Sequence, residues 1–296
     1  MVHLSLSPVS LTSGIPLQPT FRFAPSPNGE LHLGHAFSAL LNQRLADAAG
    51  GRLLLRIEDI DTTRCKPQLE AQMLDDLHWL GVVWEGTPRR QSEHFARYAA
   101  ALDQLKRQGF AYPSFMSRAE IKRAITTDWP TDPDGAPLYP GDERDWSRDQ
   151  IEDALASGRQ AIWRLNMAAA MDRLDGPLTW HEGDAGETIT ADPAAWGDVV
   201  LARADTPTSY HLSVTVDDAL QQVTHVVRGR DLYHATAVHC LLQHLLDLPQ
   251  PAYHHHRLIL DDEGEKLSKR HASKSLRSLR ADGWTVRDMR RQLGFD

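Results

Sequence analysis

Cysteine is nearly absent: the 296 residues include two, Cys65 and Cys240. Two thiols cannot build a disulfide framework, and such sparse use suits a reducing, cytoplasmic setting. No run of about 18 apolar residues occurs, so nothing is read as spanning a bilayer. Residues 1–20 contain no Lys, Arg, Asp or Glu. A secretory leader needs a basic start and a long apolar run. This segment shows neither, and residues 1–19 are expected to be a loose N-terminal extension. Internal repeats and low-complexity tracts are also missing, which excludes solenoids and repeat arrays.

What is present is the balance of a folded globular chain. Hydrophobic residues at 41% and charged residues at 24% exclude a disordered, collagenous or membrane-embedded protein, and the length suits about two domains. A formal net charge of −8 argues against indiscriminate coating of nucleic acid. That charge is unevenly spread, because residues 266–296 hold nine Lys or Arg against three Asp. Local contact with a polyanion and a solvated basic helix face both account for such a segment.

An extended segment at 20–23 runs into Ala24-Pro25-Ser26-Pro27-Asn28-Gly29, which is rich in chain breakers. A helix is predicted from about Leu33 through Phe37, Leu40, Leu41 and Leu45 to the stop at Gly50-Gly51. Residues 52–57, with Leu53-Leu54-Leu55, predict a strand buried on both faces. Leu69, Met73, Leu74 and Leu77 then mark one side of a helix over 67–80. This rhythm predicts an α/β fold with a Rossmann-like doubly wound parallel sheet. Regularity weakens over 112–196, which reads as an inserted α+β subdomain. A loop is expected there at 128–135, a helix at 147–156, and strands at 161–165 and 178–181. The rhythm resumes with strands at 199–202, 211–216 and 224–227, a helix at 232–246 and a strand at 253–260. Residues 20–111 and 197–260 are thus expected to be two halves of one catalytic domain, followed by a loop and basic tail over 261–296.

Two features point to phosphate chemistry. His32-Leu33-Gly34-His35 stands where the breaker-rich loop meets a helix. A helix N-terminus presents unpaired N–H groups and partial positive charge, both favourable to phosphate. The two imidazoles add donors, and Gly34 lets a flat base approach the backbone. Alone, the motif equally fits simple helix capping. Lys266-Leu267-Ser268-Lys269-Arg270 groups three cations that suit a departing pyrophosphate, or merely a solvated loop.

Together and in this order, the two motifs resemble those of the class I aminoacyl-tRNA synthetases. Arg22-Phe23-Ala24-Pro25-Ser26, Arg56-Ile57-Glu58-Asp59-Ile60-Asp61, Ser209-Tyr210-His211-Leu212 and Val227-Arg228-Gly229-Arg230-Asp231 are similar to the glutamyl branch. The resemblance spans about residues 20–280, and it includes no large helical anticodon-binding region. It is therefore to the truncated glutamyl-type paralogues that attach glutamate to the queuosine base in the anticodon of tRNA(Asp).

That resemblance implies an ATP-dependent ligase, with Mg2+ accompanying ATP, that activates L-glutamate without tRNA and acts as a monomer in the cytoplasm. Pro25, His32, Gly34, His35, Lys266, Ser268 and Lys269 would hold ATP, and His32, His35 and Lys269 would act on the phosphates. Arg22, Phe23, Ala24, Pro25, Ser26, Glu58, Tyr210 and Arg228 would form the glutamate site. In that site Arg22, Arg228 and the Tyr210 hydroxyl meet the side-chain carboxylate, while Glu58 and Ser26 accept from the ammonium. Guanidinium suits the first task because its fork matches a carboxylate. Each residue also has a plainer reading: Arg228 paired with Asp231, Glu58 as a surface carboxylate. A truncated synthetase charging tRNA(Glu), a nucleotidyltransferase and a non-catalytic tRNA-binding module are the competing functions.

Many relatives carry a structural zinc in the insertion. The matching stretch here places Ser114 and Met116 at two cysteine positions, keeps Tyr139, and puts Glu143 at the last. Structural zinc is therefore expected to be absent. His254-His255-His256 reads as strand, with His255 opposing its neighbours and metal binding disfavoured. Trp79, Trp84 and both cysteines read as packing residues.

Overall fold

Strand β1 (Thr20–Phe23) is buried along its whole length and is the axis of the main sheet. In the computed structural model, which describes residues 18–183, 185–259 and 274–295, β1 pairs in parallel with β2 (Arg52–Ile57), Thr20 opposite Arg52. On its other side it pairs in parallel with β9 (His225–Gly229), Phe21 opposite His225. Beyond β2 lies β3 (Arg89–Arg90). Beyond β9 come β10 (Ala252–His256) and then β6 (Thr179–Glu182), both parallel. Strand β7 (Glu187–Thr190) closes that edge antiparallel. The order β3-β2-β1-β9-β10-β6-β7 means that the chain leaves β1 in both directions. Such a switch point opens a crevice outside the carboxyl ends of the central strands. The expected doubly wound parallel sheet is present.

Side chains alternate across a strand, and here alternation separates two kinds of layer. Phe21, Phe23, Leu53, Leu55 and Ile57 enter one apolar cluster with α1 (Leu33–Ala48) and α2 (Pro67–Trp79). Pro67 at the first helical position suits the fixed φ of proline. Arg22 and Arg56 instead meet α7 (Tyr210–Leu220), where Asp218 Oδ1 accepts from Arg22 Nε at 3.2 Å and Arg56 Nη2 at 2.7 Å. The neighbouring Asp217 accepts from Arg89 Nε at 2.7 Å, Gln91 Nε2 at 2.9 Å and the Tyr98 hydroxyl at 2.8 Å. Tyr98 belongs to α3 (Phe95–Arg107). Strand β2 is thus fully buried on its apolar side, while on the other side, expected to be buried as well, Arg56 is buried in an ionic layer and Arg52 and Leu54 are half-buried.

Residues 211–216, read as a strand, form the middle of α7. His-Leu-Ser-Val-Thr-Val alternates and is β-branched, which imitates a strand. Leu212 and Val216 are nevertheless four apart and enter one cluster, Ser209 Oγ caps the first turn by accepting from Leu212 N, and Leu212–Asp218 are all buried. A helix covered on every side shows no amphipathic period. The helix expected at 232–246 begins later, as α8 (Thr236–Leu245), after a 3₁₀ turn at Arg230–Leu232.

A second, three-stranded antiparallel sheet consists of β4 (Ala111–Ser114), β5 (Ile162–Leu165) and β8 (Val200–Ala202). Around it stand α4 (Arg118–Ala124), α5 (Arg148–Ala156) and α6 (Met167–Asp172). The sheets do not follow the boundaries expected from regularity. Strands β6 and β7, inside 112–196, join the main sheet, while β8, beyond it, completes the small one. In the C-terminal segment, Leu276 and Leu279 of α9 (Leu276–Ala281) and Met289 and Leu293 of α10 (Val286–Leu293) enter the first cluster. Among the described residues no helix is long and apolar enough to cross a membrane.

Removing the shared anion exposes the cost of the ionic layer. Asp218→Ala removes the carboxylate shared by two buried guanidinium groups, leaving Arg56 its longer 3.6 Å pair with Glu58 and Arg22 no anion, and is expected to destabilise the protein by about 3–5 kcal/mol, read as a lower denaturant midpoint. A loss below about 1 kcal/mol, the level of an exposed pair, would show that the layer is not structural.

Candidate active site

The crevice collects residues from the ends of separate strands. β1 runs into Ala24-Pro25-Ser26, β2 into Glu58, β9 brings Arg228 and Gly229, and β10 ends at His256. The N-terminus of α1 adds His32, Gly34 and His35, and the start of α7 adds Tyr210. Arg22, Phe23, Ala24, Pro25, Ser26, His32, Gly34, His35, Glu58, Tyr210 and Arg228 line one cavity of about 440 Å³. Lys266, Ser268 and Lys269 lie outside the described residues. The described chain on either side meets the same cavity. Ile259 lines it, Ser275 forms a β-bridge with His32, and Leu276 N donates to Leu31 O at 2.8 Å.

His32 and His35 cap α1 with the same kind of atom. His32 Nδ1 accepts from Gly34 N and His35 Nδ1 accepts from His32 N, both at 3.1 Å, with ring centroids 3.9 Å apart. A nitrogen that accepts from a backbone N–H carries no proton, so each neutral ring has its hydrogen on Nε2, a donor suited to a phosphate oxygen. Capping and phosphate binding are compatible rather than competing. Gly34 has a reason beyond room for a ligand: a Cβ there would meet the His32 ring at 3.0 Å.

Arg228 is buried and does not pair with Asp231. Its Nε donates to His255 Nε2 at 3.0 Å, and Nη2 donates to Thr236 Oγ1 at 2.7 Å and Leu232 O at 3.1 Å. Its Nη1 reaches His239 Nδ1 at 3.1 Å and the Tyr210 hydroxyl at 3.4 Å. Asp231 sits against Gly229, where a Cβ would collide with its carboxylate. Arg22, by contrast, is held by Asp218 and by Val227 O at 3.5 Å. Glu58 is no surface carboxylate. Burial pushes its pKa up to about 6, against the pull of Arg56 and Arg22 and with some help from Asp218 and Asp217. The hydroxyl of Ser26 lies 3.6 Å from Cys65 Sγ. Cys240 is buried, which pushes its thiol up to about 12.

Sequence reasoning overlooked Arg56 and Asp218 beneath the cavity, and Thr236, His239, His255 and His256 around it. His255 had a partial signal. Alternation placed it opposite its two neighbours, but only the strand register sets it beside Arg228. Nothing local marks His239 or Asp218, which reach the site through helix packing.

In the insertion, the residues at the zinc-ligand positions bond one another. The Tyr139 hydroxyl donates to both Glu143 carboxylate oxygens at 2.8 Å, and Phe115 N donates to Glu143 Oε1 at 3.0 Å. Arg164 Nε donates to Ser114 Oγ at 3.0 Å, and its guanidinium lies 3.7 Å from the Tyr139 ring centroid. Burial and the adjacent carboxylate push the Tyr139 phenol up to about 12. A hydroxyl, a thioether, a protonated phenol and an engaged carboxylate do not fit structural zinc.

Residues 20–292 match the family described as tRNA synthetases class I (E and Q), catalytic domain. The chain is 49% identical over 281 residues to a glutamyl-Q tRNA(Asp) synthetase of Rhodobacter capsulatus, covering 93% of this chain and 99% of that protein. It is 37% identical to a glutamate–tRNA ligase of a Synechococcus species, covering 89% of this chain and 55% of the ligase. Among solved structures, a glutamate–tRNA ligase from Elizabethkingia meningosepticum in complex with its amino acid matches with a TM-score of 0.69 and 28% identity. That match covers 86% of this chain and 52% of the ligase, so the chain spans about half the length of the solved relative.

The insertion chemistry is open to direct assay. Metal analysis of the purified protein is expected to find no stoichiometric zinc, and chelators are expected to leave Tm unchanged. One tightly held zinc per chain would refute this account of residues 114–143.

Proposed function

The chain belongs to the class I tRNA synthetases (E and Q), and from that premise we propose that it activates glutamate with ATP in the absence of tRNA and transfers it to the queuosine base of tRNA(Asp). The observation that carries this reading is Arg228, a buried guanidinium with no carboxylate among its partners in the described residues, beside a cavity that also holds Glu58 and a helix N-terminus. A buried cation without an anion favours a ligand that supplies one. Arg228, Arg22 and Tyr210 receive the side-chain carboxylate, and Glu58 with Ser26 receives the ammonium.

The α-carboxylate is ionised at neutral pH, so its attack on the α-phosphate of ATP needs no general base. Catalysis then rests on positioning and on charge neutralisation. The Nε2–H donors of His32 and His35 hold phosphate oxygens, and Lys269, with Lys266 and Ser268, meets the departing pyrophosphate. Mg2+ bound to the ATP substrate would supply further neutralisation of phosphate charge. A hydroxyl of the queuosine cyclopentenediol then attacks the glutamyl carbonyl, an ester forms, and AMP leaves. Support for queuosine as acceptor comes from the relatives, since the chain spans 99% of the glutamyl-Q synthetase and 55% of the glutamate–tRNA ligase. A tRNA-directed activity and sparse cysteine support work in the cytoplasm.

Pyrophosphate exchange into ATP is expected to depend on glutamate and to proceed without tRNA. Transfer is expected to tRNA(Asp) that has intact queuosine and a blocked 3′ end. Exchange that requires tRNA, or attachment to the 3′ end of tRNA(Glu), would instead identify a truncated glutamyl-tRNA synthetase.

Glu58 supplies a pH test. Its carboxylate binds ammonium only when ionised, so kcat/KM for glutamate should rise with pH through about 6 and then level. Glu58→Gln should flatten that limb and lower kcat/KM at neutral pH. An unchanged limb in the variant would remove Glu58 from the ammonium site.

A further inference from the structure

Among the described residues, the other guanidinium groups buried to the same degree as Arg228, those of Arg22 and Arg56, have a carboxylate partner. Arg22 and Arg56 share Asp218, and Arg89 pairs with Asp217. Arg228 differs, because its five N–H groups all meet uncharged acceptors. These are two imidazoles, a threonine hydroxyl, a backbone carbonyl and a phenol. The Tyr210 contact is the longest at 3.4 Å, and of these side-chain partners Tyr210 is the one that lines the cavity.

Hydrogen bonding fixes the state of both imidazoles. His255 stands opposite Arg228 on the neighbouring parallel strand. Because its Nε2 accepts from Arg228, its proton is on Nδ1, 2.8 Å from Glu182 Oε2. Glu182 is held in turn, its Oε1 accepting from His255 N at 2.7 Å and its Oε2 from Trp180 Nε1 at 3.0 Å. The carboxylate is therefore kept one ring away from the guanidinium. His239 accepts from Arg228 on Nδ1, so its Nε2–H points to His211 Nδ1 at 3.2 Å. Burial lowers the pKa of His211, His239 and His255, which keeps these rings uncharged.

We infer that His239 and His255 are specificity-determining positioning residues, which anchor Arg228 through uncharged acceptors and so leave its charge to select an amino acid with an anionic side chain over the corresponding amide. A carboxylate in either place would form an ion pair with Arg228 before substrate arrived, and an incoming carboxylate would meet a neutralised group. An imidazole fixes the fork equally well and adds no charge. This inference rests on the glutamate reading above and names how that site tells glutamate from glutamine.

Asparagine and aspartate have nearly the same shape and differ in charge, so they separate anchoring from neutralisation. In glutamate-dependent pyrophosphate exchange, His239→Asp is expected to raise the KM for glutamate by about a hundredfold, the scale on which charge pairing acts in buried sites. It should also abolish the preference for glutamate over glutamine and leave the KM for ATP in place. His239→Asn should raise the KM for glutamate far less and keep the preference. Melting curves and calorimetric titration with glutamate accompany each variant. If His239→Asp does not fold, His255→Glu against His255→Gln makes the same comparison. Equal losses in the acidic and amide variants, or an intact preference in both, would overturn the inference and leave a purely structural role. Wild-type protein that exchanges with aspartate but not glutamate would remove the glutamate reading alone. Failure with both acidic amino acids would remove both.

Discussion

Asp218 lies under the cavity and binds two guanidinium groups at once, Arg22 from β1 and Arg56 from β2. Phe21, Phe23, Leu53, Leu55 and Ile57 go to the opposite layer, so on this side Arg22 and Arg56 would otherwise be two buried cations side by side. One carboxylate on α7 turns that liability into a joint between sheet and helix. Buried pairs contribute less than their geometry suggests, but losing one partner is severe. The joint therefore acts as a strict condition on assembly: α7 docks with Asp218 at this place or the layer does not close. Docking α7 also brings Tyr210 to the cavity.

The same arrangement divides positive charge between structure and chemistry. Arg22 is partly compensated by Asp218, and Arg56 is buried against Asp218 and Glu58. Arg228 is held by neutral groups, and in the reading proposed above its charge is left for the ligand. Glu58 is the counterpart among the anions, raised by burial to about 6 and therefore still ionised at neutral pH. Cations and an anion lining one cavity suit the charged groups of an amino acid. At the α1 terminus, backbone dipoles combine with two oriented imidazoles, an arrangement suited to phosphate, and Gly34 leaves space for the His32 ring that caps the helix.

Hydrogen bonds hold the stretch around Glu143 together. Glu143 is buried and satisfied by a phenol and a backbone N–H, while Arg164 spans Ser114 and the Tyr139 ring. These bonds link β4, β5 and the loop carrying Tyr139. The chain passes back and forth between the two sheets, with β6 and β7 in the larger one and β4, β5 and β8 in the smaller.

Local pattern was enough for the parts whose physics is local. The breaker-rich loop, the His-Leu-Gly-His helix start and the Leu-rich strand β2 were legible because capping, periodicity and short motifs act within a few residues. Those site residues that the structure describes, from Arg22 to Arg228, line one cavity. Residues 211–216 misled because a helix buried on all sides loses its period, and β-branched alternation looks like a strand. Asp218 as anchor, and His239 and His255 around Arg228, were invisible for a different reason. Their partners are set by strand register and by the docking of α7 and α8, contacts across long stretches of chain that no local spacing encodes. The sequence alone determined which chemical groups were available and where the chain turns. Tertiary structure decided which arginine was neutralised and which kept its charge, because that depends on what each guanidinium is packed against.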